Sequence, residues 1–196
     1  MFKGFFLIIV LVCSFLFAPN LVLAQTSNAY EKLGMSSVCL NAKTGKIISG
    51  ENQNQVLPLA SLTKLMTAQV LLDLKLNFQK LITISDGQMN YVNAYIDKGD
   101  ITSKINMQTG DKVMAKDLWH AMLIASSNES AIALVDSSGI GRAKFVEKMN
   151  KKAKVFGLRN TKFTEPSGID PNNLGTASDM AIIANKVLKL LIVLKI

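Results

Sequence analysis

The sequence predicts an α/β chain, and three observations carry that reading. Apolar runs on either side of a glycine-containing turn, Ser37-Val38-Cys39-Leu40 and Lys46-Ile47-Ile48-Ser49, form a hairpin pattern. Leu81-Ile82-Thr83-Ile84-Ser85 reads as a further short strand, and apolar residues recur at helical spacing in several separate stretches. No internal repeat divides the 196 residues.

Residues 1–24 have the pattern of a secretory signal. Lys3 is the positive start, Phe5 to Phe17 the apolar segment, and Val22-Leu23-Ala24 a small-residue cleavage site. The apolar segment falls short of the roughly 20 residues that span a bilayer, so export is expected, with an uncleaved anchor as the alternative. The domain expected after cleavage is 25–196, whose net charge drops from +8 to +7 with the loss of Lys3. Such a balance suits work near an anionic surface, a cell wall or a membrane. A nucleic-acid partner is not expected, because the lysines are dense only across Lys144 to Lys154, where apolar helical spacing marks a solvated helix face.

Cys13 leaves with the signal, and Cys39, in its strand-like run, is expected to be a buried thiol without a disulfide. One histidine and one mature cysteine supply no ligand cluster, so neither a metal nor another cofactor is expected.

Asn41-Ala42-Lys43-Thr44-Gly45 forms the hairpin turn, and Gly50 to Gln55 a polar loop. Pro58 stops any helix arriving from upstream, and from about Ser61 the residues Leu62, Leu65, Met66 and Val70 follow helical spacing to about Lys75–Asn77. Asp86 to Ile105 has few apolar residues in any period and reads as surface or linker. A turn at Thr109-Gly110-Asp111 precedes a helix over Ala115 to Ile124, and another helix spans Glu129 to Val135. Gly139-Ile140-Gly141 opens a helix through Phe145, Val146 and Met149. Phe163 to Gly175 is a loop, and a last helix starts near Ala177.

Ser61 and Lys64 carry the chemistry. Separated by three positions at a helix start, hydroxyl and amine become neighbours, and a lysine kept neutral by desolvation can take the serine proton as the oxygen attacks a carbonyl. With 15 serines and 20 lysines, about one or two Ser-x-x-Lys matches arise by chance, so the motif gains weight only from context. It is the one match in the chain, it follows a proline, and Ser126-Ser127-Asn128 stands downstream as the one Ser-x-Asn. That second triplet has an ordinary explanation as well, since Ser127 or Asn128 can cap the following helix. Lys43-Thr44-Gly45 is set aside as turn chemistry, and His120 lacks the Gly-x-Ser-x-Gly elbow of a Ser-His-Asp hydrolase.

Taken together, these blocks resemble the serine D-alanyl-D-alanine carboxypeptidases among the low-molecular-weight penicillin-binding proteins. The resemblance rests on Ala42 to Gly45, Pro58 to Thr67, Met122 to Leu134, Phe145 to Asn150 and Gly157 to Gly168, and covers about 33–188. It implies a serine β-lactamase and penicillin-binding-protein transpeptidase-like fold, a helical cluster on an antiparallel sheet, without the family's smaller C-terminal β-domain. It also implies that Ser61 is the acylated nucleophile and Lys64 its base. Ser126 would relay the leaving-group proton, and Asn128 would hold substrate or the Lys64 amine. The implied partners are peptidoglycan stem peptides as substrate and β-lactams as covalent mimics, in the periplasm or cell envelope. Ser126 to Glu129 and Thr164 to Gly168 look closer to the branch that cuts D-Ala-diaminopimelate crosslinks, so endopeptidase activity stands as the alternative.

The family pattern also includes a later Lys-Thr-Gly or Lys-Ser-Gly on a strand beside the nucleophile, and none follows Asn128. The resemblance gives that strand one of two oxyanion donors, and losing one such donor typically costs about 10²–10³ in rate. The expectation is a truncated member, incomplete at its C-terminus, with its first two motifs intact and severely reduced or no turnover. Lys186 to Ile196 departs from the family and reads either as a helix end or as an amphipathic segment able to associate peripherally with a membrane. A β-lactamase, which would carry Ser-Asp-Asn, and an inactive cell-wall-binding remnant are the remaining readings.

Overall fold

Turn chemistry builds the first element. The Asn41 side-chain oxygen accepts from the Lys43 and Thr44 amides (2.9 and 3.0 Å), and Gly45 takes φ +72°. This turn joins β1 (Ser37–Leu40) to β2 (Ile47–Glu51) in an antiparallel ladder that pairs Val38 with Gly50 and Leu40 with Ile47. Lys43-Thr44-Gly45 is accordingly exposed turn. The computed structural model describes residues 35–95, 103 and 105–194, and the elements below belong to the unit Ser36–Ile196. The expected signal segment lies outside the described residues, as do 96–102, 104, 195 and 196.

After β3 (Leu57–Pro58), a 3-10 turn at Ala60–Leu62 leads into α1 (Thr63–Asp73). Ser61 thus sits on the turn, just ahead of the α-helix predicted to begin with it. The helix also stops earlier than predicted. Lys75 takes φ +57°, its amide donates to the Leu72 carbonyl (2.9 Å), and the Leu76 amide reaches back to the Leu71 carbonyl (3.1 Å). That paired closure is a Schellman motif, in which lysine occupies the left-handed position usually held by glycine.

β4 (Leu81–Thr83) pairs antiparallel with β5 (Lys112–Met114). Between them the expected surface or linker stretch opens with α2 (Asp86–Asn93), a helix that was not predicted but lies mostly at the surface. Its start is fixed by a capping box: the Ser85 side chain receives the Gln88 backbone N–H, and the Gln88 side chain accepts from the Ser85 amide at 3.0 Å. Only Gln88 and Val92 of this helix are buried, so its apolar period is faint.

Helices α3 (Ala115–Leu123), α4 (Asn128–Ser137), α5 (Arg142–Val155) and α6 (Ala177–Leu194) follow, and all pack against α1. Surrounded in this way, α1 buries Thr63, Lys64 and every residue from Met66 to Leu71. Trp119, Phe145, Phe163 and Met122 fill the core around it, with Phe78 edge-on to Trp119 at 5.3 Å between ring centres. The Lys186 to Leu194 stretch continues α6 as helix.

The antiparallel component consists of three two-stranded ladders, the third pairing β3 with β6 (Leu174–Gly175). β1 lies against α6, with Val38 and Leu40 half-buried and Cys39 exposed. Alternation along the strand turns Cys39 to the open face, which overturns its expected burial. Among the described residues, no helix is long and apolar enough to cross a membrane.

Candidate active site

The β3–β6 ladder brings the loop after α5 under Ser61. Leu57 and Pro58 pair with Gly175 and Leu174, and the Leu59 amide donates to the Asn173 carbonyl at 2.8 Å. Gly168 closes the approach. A Cβ there would lie 1.9 Å from the Ala60 carbonyl oxygen and 3.0 Å from the Ser61 nitrogen, and its φ is +88°. Only glycine permits this contact.

The predicted site residues converge on one point. Lys64 Nζ donates to Ser61 Oγ (3.0 Å), Asn128 Oδ1 (2.7 Å) and the Ser167 carbonyl (2.8 Å), while Ser126 Oγ donates to Ser61 Oγ at 2.7 Å. Asn128 Oδ1 and a backbone carbonyl can only accept, so in a neutral amine both N–H bonds are committed to them. The lone pair is then left facing Ser61. Lys64 is only 3% exposed. Burial pushes its amine down to about 8, opposed by the nearby Glu165 and Glu129 carboxylates, which raise it.

Capping and contact with the Ser61–Lys64 pair coexist in Ser126-Ser127-Asn128. Ser127 caps α4, accepting from the Ser130 amide at 3.1 Å, while its neighbours on either side face Lys64 and Ser61. Ser126 reaches Ser61 from a left-handed backbone at φ +58°, and Ala60, just before Ser61, stands at +45°. Conformations of this kind are costly for residues with a side chain and concentrate at functional sites. A cleft of about 540 Å³ opens here, with Ser61, Lys64 and Ser126 as its polar side and Leu62, Leu65, Met122 and Leu123 on its apolar side.

None of the predicted site residues lies in the Phe163 to Gly175 loop, yet that loop supplies the third partner of Lys64. Thr67 Oγ1, one turn along α1, donates to the Pro166 carbonyl at 2.6 Å and ties the same loop to the helix. Glu165 and Asn173 are buried beneath it. Ser167 lies 103 residues from Lys64, a separation at which no local spacing carries a signal. His120 is exposed and makes no contact with these groups. Among the described residues, no group of His, Cys, Asp or Glu is arranged to hold a metal. The assembly can present an oxygen whose proton has an adjacent acceptor, which is the requirement of acyl transfer.

Comparison with known proteins agrees in direction. Residues 24–195 match the D-alanyl-D-alanine carboxypeptidase family. The D-alanyl-D-alanine carboxypeptidase DacF of Bacillus subtilis is 33% identical over 177 residues, covering 88% of this chain and 44% of the relative. A D-alanyl-D-alanine endopeptidase of Pseudomonas aeruginosa is 31% identical over 74% of this chain and 44% of its own length. Penicillin binding protein 5 of Haemophilus influenzae superposes with a TM-score of 0.70 at 32% identity, over 80% of this chain and 45% of that one. The chain thus spans about half the length of these relatives. It belongs to the D-alanyl-D-alanine carboxypeptidase family.

Proposed function

We propose that this chain is a serine-type acyl-transfer enzyme acting on the D-Ala-D-Ala end of peptidoglycan stem peptides, with Ser61 as nucleophile. The observation that carries the reading is the three-way engagement of Lys64 Nζ by Ser61, Asn128 and Ser167. In this scheme the Ser61 proton moves to Lys64 as Oγ attacks the carbonyl carbon of the penultimate D-Ala. The C–N bond then breaks, and Ser126 relays the proton from Lys64 to the departing amine. Ser61 is left as an ester, which water hydrolyses. Asn128 holds the amine in place or contacts substrate.

β-Lactams would enter the same step. Their ring amide opens onto Ser61, and the fragment stays attached as a penicilloyl ester. The test is intact-mass and peptide mapping of the protein after incubation with benzylpenicillin. The expected result is one adduct on the Ser61 peptide, absent in Ser61→Ala and reduced at least about 10²-fold in rate in Lys64→Ala. An adduct elsewhere, or none on a folded protein, overturns the reading.

Endopeptidase activity is the second reading, favoured by the Pseudomonas relative of that name. It predicts release of stem peptides from D-Ala-diaminopimelate cross-linked dimers, where the carboxypeptidase reading predicts free D-Ala from pentapeptides. Residues 1–24 are proposed as an export signal that puts 25–196, the segment with the catalytic residues, in the periplasm or cell envelope. N-terminal sequencing of the exported protein is then expected to begin at Gln25. Peripheral membrane association through the end of α6 is part of the same proposal, and sedimentation with anionic vesicles tests it.

A further inference from the structure

We propose that Glu165 is a positioning residue for the Lys64 base: its buried carboxylate gathers the backbone of 167–169 and thereby holds the Ser167 carbonyl on the Lys64 amine. The inference rests on the reading of Ser61 and Lys64 as nucleophile and base.

Glu165 is 1% exposed and has no cationic partner in contact with it among the described residues. Instead, Oε2 accepts from the Ser167 amide (2.7 Å) and the Ser167 hydroxyl (2.6 Å). Oε1 accepts from the Gly168 amide, the Ile169 amide (3.0 Å) and Asn173 Nδ2 (2.7 Å). Five donors therefore converge on one carboxylate, an arrangement that orders a short loop tightly. Asn173 extends the scaffold, since its Oδ1 accepts from the Thr164 amide at 2.7 Å. The product of this ordering is a single orientation for the Ser167 carbonyl, 2.8 Å from Lys64 Nζ.

Two consequences separate Glu165 from an ordinary buried anchor. With both oxygens engaged by loop donors, it is unable to accept a proton from water or substrate, so it does not act as a general base. Its negative charge nevertheless lies close enough to support the protonated form of Lys64, as does that of Glu129 at the start of α4. The other groups facing the amine are neutral: the Ser61 hydroxyl, the Asn128 amide and the Ser167 carbonyl. Removing the Glu165 charge should thus make Lys64 easier to deprotonate, while releasing the carbonyl that aims its lone pair.

The experiment compares wild type, Glu165→Gln and Glu165→Asp by three readouts. These are thermal melting, the pH dependence of Ser61 acylation by benzylpenicillin, and titration of the Lys64 amine by NMR with ε-¹³C-lysine, assigned through Lys64→Arg. Glu165→Gln is expected to acylate about 10–100-fold more slowly at its plateau, the scale of a small misplacement of a reacting group. Its Lys64 titration is expected to move to lower pH. Glu165→Asp keeps the charge and is expected to slow acylation while leaving the titration near that of wild type. Wild-type rate and titration in folded Glu165→Gln overturn the proposal, and so does a variant that merely melts lower with the Lys64 titration unmoved. Should wild type itself form no adduct, the function proposed above fails, and the NMR titration still decides the role of Glu165.

Discussion

Ser126 is the residue at which backbone cost and chemistry are most plainly joined. A left-handed backbone costs a residue with a Cβ about 1–2 kcal/mol, and the return is a hydroxyl 2.7 Å from Ser61 Oγ. Ser126→Gly removes the strain and the hydroxyl together. Stability is expected to stay within about 1 kcal/mol of wild type by thermal melting, while acylation of Ser61 falls about 10²–10⁴-fold, the usual contribution of a positioned proton-transfer group. A large loss of stability would show that the hydroxyl serves packing. Much at this scale was legible beforehand. The contact of Ser61 with Lys64 followed from their spacing of three, and Ser126 and Asn128 followed from the family resemblance. Glu165, Ser167 and Thr67 lie in blocks that carry the resemblance, but their part in the site was not legible, because the contacts Ser167–Lys64 and Thr67–Pro166 join segments about a hundred residues apart. Cys39 failed for a different reason: an apolar run predicts a strand but not which of its alternating faces is covered.

At the scale of elements, local signals located most boundaries and missed those set by caps. The hairpin turn was readable because Asn41 and Gly45 are chemically suited to it. α2 was missed because its apolar period is weak, although Ser85-Asp86-Gly87-Gln88 has the capping-box spacing. The structure makes that cap the main determinant of the helix start. Ser85→Ala is expected to cost about 1 kcal/mol, read as a lower melting temperature, with Ser61 acylation unchanged. The Schellman closure at Lys75 similarly ends α1 before its hydrophobic period ends. Period alone overestimates a helix whose last turn is capped.

Within the unit Ser36–Ile196, α1 is the axis and helices α3 to α6 are its walls. Lys64 can lie there only because three acceptors surround its amine, since an unpartnered buried amine would be expensive. The walls are held by large side chains, among them Phe145 at 0% exposure on α5. Phe145→Ala is expected to destabilise the fold by about 3–5 kcal/mol in chemical denaturation. Met149 of the same helix touches Thr67, which fastens the 163–175 loop to α1, so acylation should fall along with stability. Exposed Ile47 and Ile48 on β2 and Leu188 and Ile192 on α6 mark apolar surface outside this core. None of that exposure was legible from composition.

Whether a buried, neutral Lys64 takes the proton from Ser61 is decided by the rate of Ser61 acylation by benzylpenicillin measured against pH. With its amine lowered from 10.5 to about 8, Lys64 is mostly protonated at pH 6 and mostly neutral at pH 9, so the base-competent fraction rises with pH. The expected rate climbs through a midpoint near 8 and then levels, and the rise disappears in Lys64→Met. A rate independent of pH from 6 to 9, or one that Lys64→Met leaves intact, would contradict proton transfer to Lys64.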